Sequence, residues 1–262
     1  MSLIQVAKRI LPPSVVNGVR NSLPRSMTLG PAITQVFIFN HQMQSRYTLT
    51  NFPSFFSPKH AASYVYKVSI LNQNGNIVGT KKIDIPQFGT IEMIPQKIFD
   101  FKLPEFGTIS VSIEPVKRFT FSDRHLGIIF ARFYALYHDQ NMNSMVLIHP
   151  QTFETDLPQP NRCWKSNLLI DPKTVDQIEI YQINPSEKKA HTDLILFDQD
   201  HHQIRISQAQ MAPHSIRKIV WDIAELRKYQ FLYLGSNGLT GTNAKPLVFN
   251  RFGKGIFSGS HS

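Results

Sequence analysis

The chain has 262 residues, a net charge of +10, a hydrophobic fraction of 42% and a single cysteine, Cys163. That length suits one large or two ordinary domains, and one cysteine excludes an intramolecular disulfide framework. With 19 Phe and 8 Tyr to fill cores, the composition also excludes a disordered polymer.

The charge is uneven. Lys8, Arg9, Arg20, Arg25, Arg46, Lys59, Lys67, Lys81 and Lys82 all precede the first acidic residue, Asp84, and the remainder is close to balance. A basic first third favours an anionic partner, either a membrane surface or an acidic glycan. Nucleic acid is disfavoured, because the basic residues cluster no more densely than in pairs.

Residues 1–30 read as a basic amphipathic segment. At 100° per residue, Leu3, Ile4, Val6, Ala7, Ile10 and Leu11 share one side of a helix, with Gln5, Lys8 and Arg9 on the other. Pro12-Pro13 stops that helix, and Ser14 can cap a second one in which Val15, Val16, Val19 and Leu23 oppose Asn17, Arg20 and Asn21. Such helices lie in a lipid headgroup layer or dock on protein. The expected membrane-surface residues are Leu3, Ile4, Lys8, Arg9, Ile10, Leu11, Arg20 and Arg25. No run reaches the roughly 18 apolar residues of a membrane span, so a cytoplasmic chain, peripheral at the membrane, is expected. The stretch Val6-Ala7-Lys8-Arg9-Ile10-Leu11-Pro12-Pro13 resembles the lead-in of bacterial surface-polysaccharide biosynthesis proteins. That resemblance implies a link to surface glycan assembly.

After residue 30 the chain becomes short β-branched and aromatic runs separated by Asn, Gly, Asp and Pro, the pattern of an all-β domain. Strands are expected at Ile33–Phe39, Tyr64–Leu71, Asn76–Ile85, Ile109–Ile113, Gly127–Tyr137 and Ser144–His149. Phe153–Lys165, with Pro158 and Pro160, reads as a linker. A second series then follows at Gln177–Gln182, Asp193–Phe197, Gln203–Ser207, Ile216–Val220, Gln230–Leu234, Lys245–Asn250 and Gly255–Ser260. The two series correspond, since Val68-Ser69-Ile70-Leu71-Asn72-Gln73-Asn74-Gly75 matches Leu194-Ile195-Leu196-Phe197-Asp198-Gln199-Asp200-His201. The expected architecture is therefore two tandem immunoglobulin-like β-sandwiches, 31–152 and 166–262, joined by 153–165.

The second series carries the candidate chemistry. Asp198-Gln199-Asp200, followed by His201-His202, resembles the D-x-D metal-and-nucleotide motif of many glycosyltransferases. Its counterpart in the first series is Asn72-Gln73-Asn74-Gly75, a hairpin turn sequence, so a turn is the expectation here too. No H-x-H, H-E-x-x-H or Cys/His ligand spacing is present. The alternative reading is a metal-dependent enzyme with a Zn or Cu site between the sandwiches, for which His149, His261, His214 and His125 are the candidate ligands. Gly255-Ile256-Phe257-Ser258-Gly259 has Phe where a nucleophile elbow needs Ser. The preferred reading is a non-enzymatic binding or accessory protein without a cofactor, able to form homo-oligomers. Its ligand face is expected at Trp164, Trp221, Asn237 and Lys245, around the glycine-rich loop 235–245.

Overall fold

The structure, a computed structural model, describes residues 32–56, 61–114, 132–150, 159–238 and 246–261, with the short pairs 25–26, 28–29, 120–121, 128–129 and 152–153. In chain order the first half contributes β1 (Arg25–Ser26), β2 (Thr28–Leu29), β3 (Ile33–Ile38), β4 (Gln44–Thr50), α1 (Phe52–Phe56), β5 (Tyr64–Asn72), β6 (Ile77–Ile85), β7 (Thr90–Met93), α2 (Pro95–Ile98), β8 (Phe106–Glu114), β9 (Thr120–Phe121), β10 (Ile128–Ile129), β11 (Arg132–His138), β12 (Met145–Ile148) and β13 (Thr152–Phe153). The second half contributes β14 (Gln159–Ile170), β15 (Gln177–Ile183), β16 (Ala190–Asp198), β17 (Gln203–Met211), β18 (Ile216–Asp222), β19 (Leu232–Gly238), β20 (Leu247–Arg251) and β21 (Phe257–His261).

The chain is all-β and its large sheets are antiparallel. In the first half a five-stranded sheet, β13-β3-β8-β5-β6, faces a four-stranded one, β12-β11-β4-β7. Residue alternation explains the facing. In β4, Ser45, Tyr47 and Leu49 are buried while the residues between them are half-exposed, and in β5 Tyr64, Tyr66, Val68 and Ile70 turn inward, as a pleat of period two requires. The buried phenols are satisfied: Tyr47 and Tyr137 both donate to the carbonyl of Val36, at 2.9 and 2.8 Å, and Tyr66 donates to Thr50 O at 2.7 Å.

In the second half the sheets are β14-β19-β16-β17 and β18-β15-β20-β21. Ile178, Ile180, Leu194, Leu196, Trp221, Leu232, Leu234 and Val248 fill the core between them. Residues 159–165, within the expected linker, belong to β14 and pair with β19, Trp164 opposite Ser236 and Lys165 opposite Gly235. The expected amphipathic helices, residues 3–23, lie outside the described residues. Arg25 falls in β1, whose backbone pairs with β9 opposite Phe121.

The sheet β18-β15-β20-β21 is covered on both faces, so β15 is buried almost throughout. Its even positions, Ile178 and Ile180, face the second core, whereas Tyr181 and Ile183 join a cluster made mostly of first-half residues. Opposite them in register, Leu247 and Ile216 enter that same cluster, and so does Phe249, the partner of Glu179. Phe249 sits at its centre, edge-on to Tyr137 at 5.2 Å, Tyr181 at 6.1 Å and Phe257 at 5.6 Å. A second junction forms where the β5–β6 turn meets the β17–β18 loop. There Ile216 N–H donates to Gln73 O at 3.1 Å, and Gly75 takes a left-handed φ of 83° at a place where a Cβ would lie 2.4 Å from Pro213 O. Only glycine meets both demands.

Candidate functional site

Where the halves meet, four loops enclose a polar cleft of about 530 Å³. The β3–β4 turn supplies His41 and Gln42, the β11–β12 turn supplies Asp139, Gln140, Asn141 and Asn143, and the second half supplies Asp176, Gln177, Arg251, Phe252 and Gly255. The two first-half turns are held by their own polar residues. Asn40 Oδ1 accepts from the N–H groups of Gln42 and Met43, both at 2.9 Å, and Asp139 Oδ1 accepts from Ser144 N–H at 3.2 Å. Loops fixed in this way on a sandwich are a common platform for binding.

The side-chain amides of Gln42, Gln140, Asn141, Asn143 and Gln177 make no hydrogen bond among the described residues. Each therefore presents a donor and an acceptor to the cleft. The charged groups are mostly committed. Asp176 pairs with Arg227 at 3.1 Å, and Arg251 donates from Nε and Nη2 to Glu179 Oε2 at 2.9 and 2.6 Å.

Beneath the cleft, Glu179 anchors a buried network. Its other oxygen receives Lys218 Nζ at 2.8 Å and the Tyr181 hydroxyl. Burial alone would raise the Glu179 carboxyl, but the Arg251 guanidinium and the hydrogen bonds from Lys218 and Tyr181 outweigh it and hold the group below the ordinary carboxylate range. Burial, reinforced by Glu179, pushes the Tyr181 phenol far up. The network thus stays ionised and fixes Arg251 as one wall of the cleft.

The residues singled out by sequence fall elsewhere. Trp221 lies in the second core, 9% exposed and opposite Ile178 in the β15–β18 ladder, so its indole is a packing element. Trp164 and Asn237 are placed by backbone pairing alone, and Lys245 lies outside the described residues. His149 is exposed, with Nδ1 3.4 Å from Pro150 O, and His214 pairs with Glu187 at 3.2 Å. His125, and the side chain of His261, are outside what the structure describes. The metal-sized group found among the described residues is Asp198, Asp200 and His202. There Asp198 Oδ1 accepts from Asp200 N–H at 3.0 Å and His202 N–H at 2.8 Å. Asn72 Oδ1 accepts from Asn74 and Asn76 N–H at 3.0 and 3.1 Å in the corresponding hairpin. An amide serves equally well in that position, so the carboxylate is accounted for as a turn cap.

The cleft residues themselves were not distinguishable in sequence, because Gln, Asn and Asp in a turn read only as turn formers. No family model and no curated protein matches the chain. Solved structures give faint likenesses. One is a glycosyl hydrolase family 2 member from Bacteroides cellulosilyticus, at 6% identity and a TM-score of 0.18, covering 86% of this chain and 25% of that one. A β-D-glucuronidase of Dictyoglomus thermophilum gives 10% identity and a TM-score of 0.19, covering 90% and 36%. A β-glucuronidase of Bacteroides uniformis gives 10% and 0.18, covering 87% and 25%. The chain thus spans between a quarter and about a third of the length of these structures, and at such TM-scores nothing about its chemistry follows from them.

Proposed function

We propose that the chain is a non-enzymatic glycan-binding accessory protein, built as a tandem repeat of two immunoglobulin-like sandwiches, whose cleft between the halves receives a neutral saccharide. The observation that carries this reading is the cleft lining: five uncommitted amides beside Phe252, with the charged groups engaged elsewhere. Neighbouring sugar hydroxyls each donate and accept, and so match side-chain amides, while an aromatic ring meets the apolar face of a pyranose. Because Arg251 is already neutralised by Glu179 and the free lining is uncharged or acidic, the cleft suits a neutral sugar better than an acidic one. Support for the repeat comes from strand order, since β3-β8-β5-β6 and β14-β19-β16-β17 run in the same sequence, as do β12-β11-β4-β7 and β21-β20-β15-β18.

The basic amphipathic segment extends the proposal to an anionic membrane surface, with Leu3, Ile4, Lys8, Arg9, Ile10, Leu11, Arg20 and Arg25 as the contacts. Saturation-transfer NMR of the full chain against a panel of neutral and acidic oligosaccharides tests the sugar reading. Neutral members should bind, and the double variant Gln140→Ala/Asn141→Ala should weaken them about tenfold, the loss expected for two modest hydrogen bonds. Binding confined to acidic members, or untouched by the double variant, would overturn it. Co-sedimentation with anionic vesicles, lost in a chain starting at Gly30, tests the membrane part.

A further inference from the structure

A sheet edge presents a row of unpaired backbone N–H and C=O groups, and natural proteins guard such edges with short strands, lysines, prolines or bulges. Most edges of the large sheets follow that rule. β13 and β7 are only two and four residues long. β6 carries Lys81 and Lys82, β18 carries Arg217 and Lys218, and β14 has Pro160 and two breaks in its register with β19. β12 and β21 lie against each other, so closely that a Cβ on Gly259 would come within 2.9 Å of Val146 Cγ1. The remaining edge is β17. It is nine residues long, and from residue 206 to 211 it has no charge, no proline and no break in its register with β16. Its one charge, Arg205, is turned aside, Nη1 donating to Asp222 O at 2.6 Å and Nη2 to Glu225. Ile206 stands 43% exposed.

We propose that β17 pairs with β17 of a second copy, antiparallel across a two-fold axis, joining two β14-β19-β16-β17 sheets into one continuous sheet. Every second residue of an edge strand turns its N–H and C=O outward, and an antiparallel copy offers the matching set. The choice of a second copy rests on charge. Each chain carries +10, so two copies repel unless they meet where neither is charged. Residues 206–211 satisfy that condition, because whichever of them lies on the axis, no like charges stand directly opposite each other. The same uncharged strand holds nothing that would select a charged foreign segment. A two-fold contact uses the edge of both copies and closes at two, so it removes the exposed edge without open-ended growth. The pair carries two copies of the cleft between the halves, and the inference does not depend on how that cleft is read.

Analytical ultracentrifugation of the full chain tests it. The native chain should pass from monomer to dimer between about 1 and 100 µM, the affinity of a small interface. Gln208, exposed within residues 206–211, is the probe. Gln208→Lys and Gln208→Glu should each sediment as monomer across that range, because like charges then meet near the axis, and an equimolar mixture of the two should recover the dimer. A native chain still monomeric at about 100 µM would overturn the proposal and leave the edge to a strand of another protein. A dimer that both variants leave intact, or a mixture that stays monomeric, would overturn it as well.

Discussion

Asp198 and Asn72 cap corresponding hairpins through the same pair of backbone N–H bonds, and the one atom by which they differ makes Asp198 a useful probe. Burial pushes its carboxyl up, but the hydrogen bonds from His202 and Asp200 and the nearby His202 imidazole hold it below the ordinary carboxylate range. A carboxyl lowered on folding stabilises the protein above its unfolded-state pKa, and that contribution fades as pH falls through the folded value. Asp198→Asn should therefore keep the melting temperature at neutral pH and lessen its decline in acid, as thermal denaturation at pH 7 and pH 3 would register. Asp198→Ala should lower Tm by about 2–4 °C. Millimolar Ca²⁺, Zn²⁺ or Mn²⁺ should leave the Tm of the native chain unmoved. A metal-dependent rise lost in Asp198→Asn would show that the turn is also a metal site.

Strand by strand, alternation made most of the fold legible: thirteen runs were read from sequence and each overlaps a strand of the structure. Among the strands that escaped, β4 and β14 did so because polar residues fill their sequence, Gln44-Ser45-Arg46 opening the first and Asn161-Arg162 interrupting the second. The burial of β15 on both faces was not legible either. Glu179 within Ile178-Glu179-Ile180 reads as a solvent-facing residue until a second layer covers it. That layer makes Glu179 the most sensitive polar residue of the element. Removing one partner of a buried ion pair leaves the other charge uncompensated, at a cost of about 3–5 kcal/mol. Glu179→Leu should lose an amount of that order in urea denaturation, whereas Glu179→Leu paired with Arg251→Met should recover much of it.

For the molecule as a whole, the cluster around Phe249 packs side chains of both halves together. Calorimetry should show a single unfolding transition, and Phe249→Ala, which empties a site ringed by Tyr137, Tyr181 and Phe257, should cost about 3–5 kcal/mol and still give one transition. Two separated transitions in the native protein would mean that the halves are energetically independent. The same packing brings the turns of one half against the loops of the other, and that is why the cleft could not be read from sequence. Its residues come from four places along the chain, each ordinary by itself.

Chemical-shift mapping on the isotopically labelled full chain, titrated with a neutral disaccharide, locates the binding surface. Perturbations should concentrate at the backbone and side-chain amides of Gln42, Gln140, Asn141, Asn143 and Gln177, with Phe252 beside them. Shifts confined to the loop 235–245, or no shifts at all, would contradict the assignment of the cleft between the halves as a sugar site.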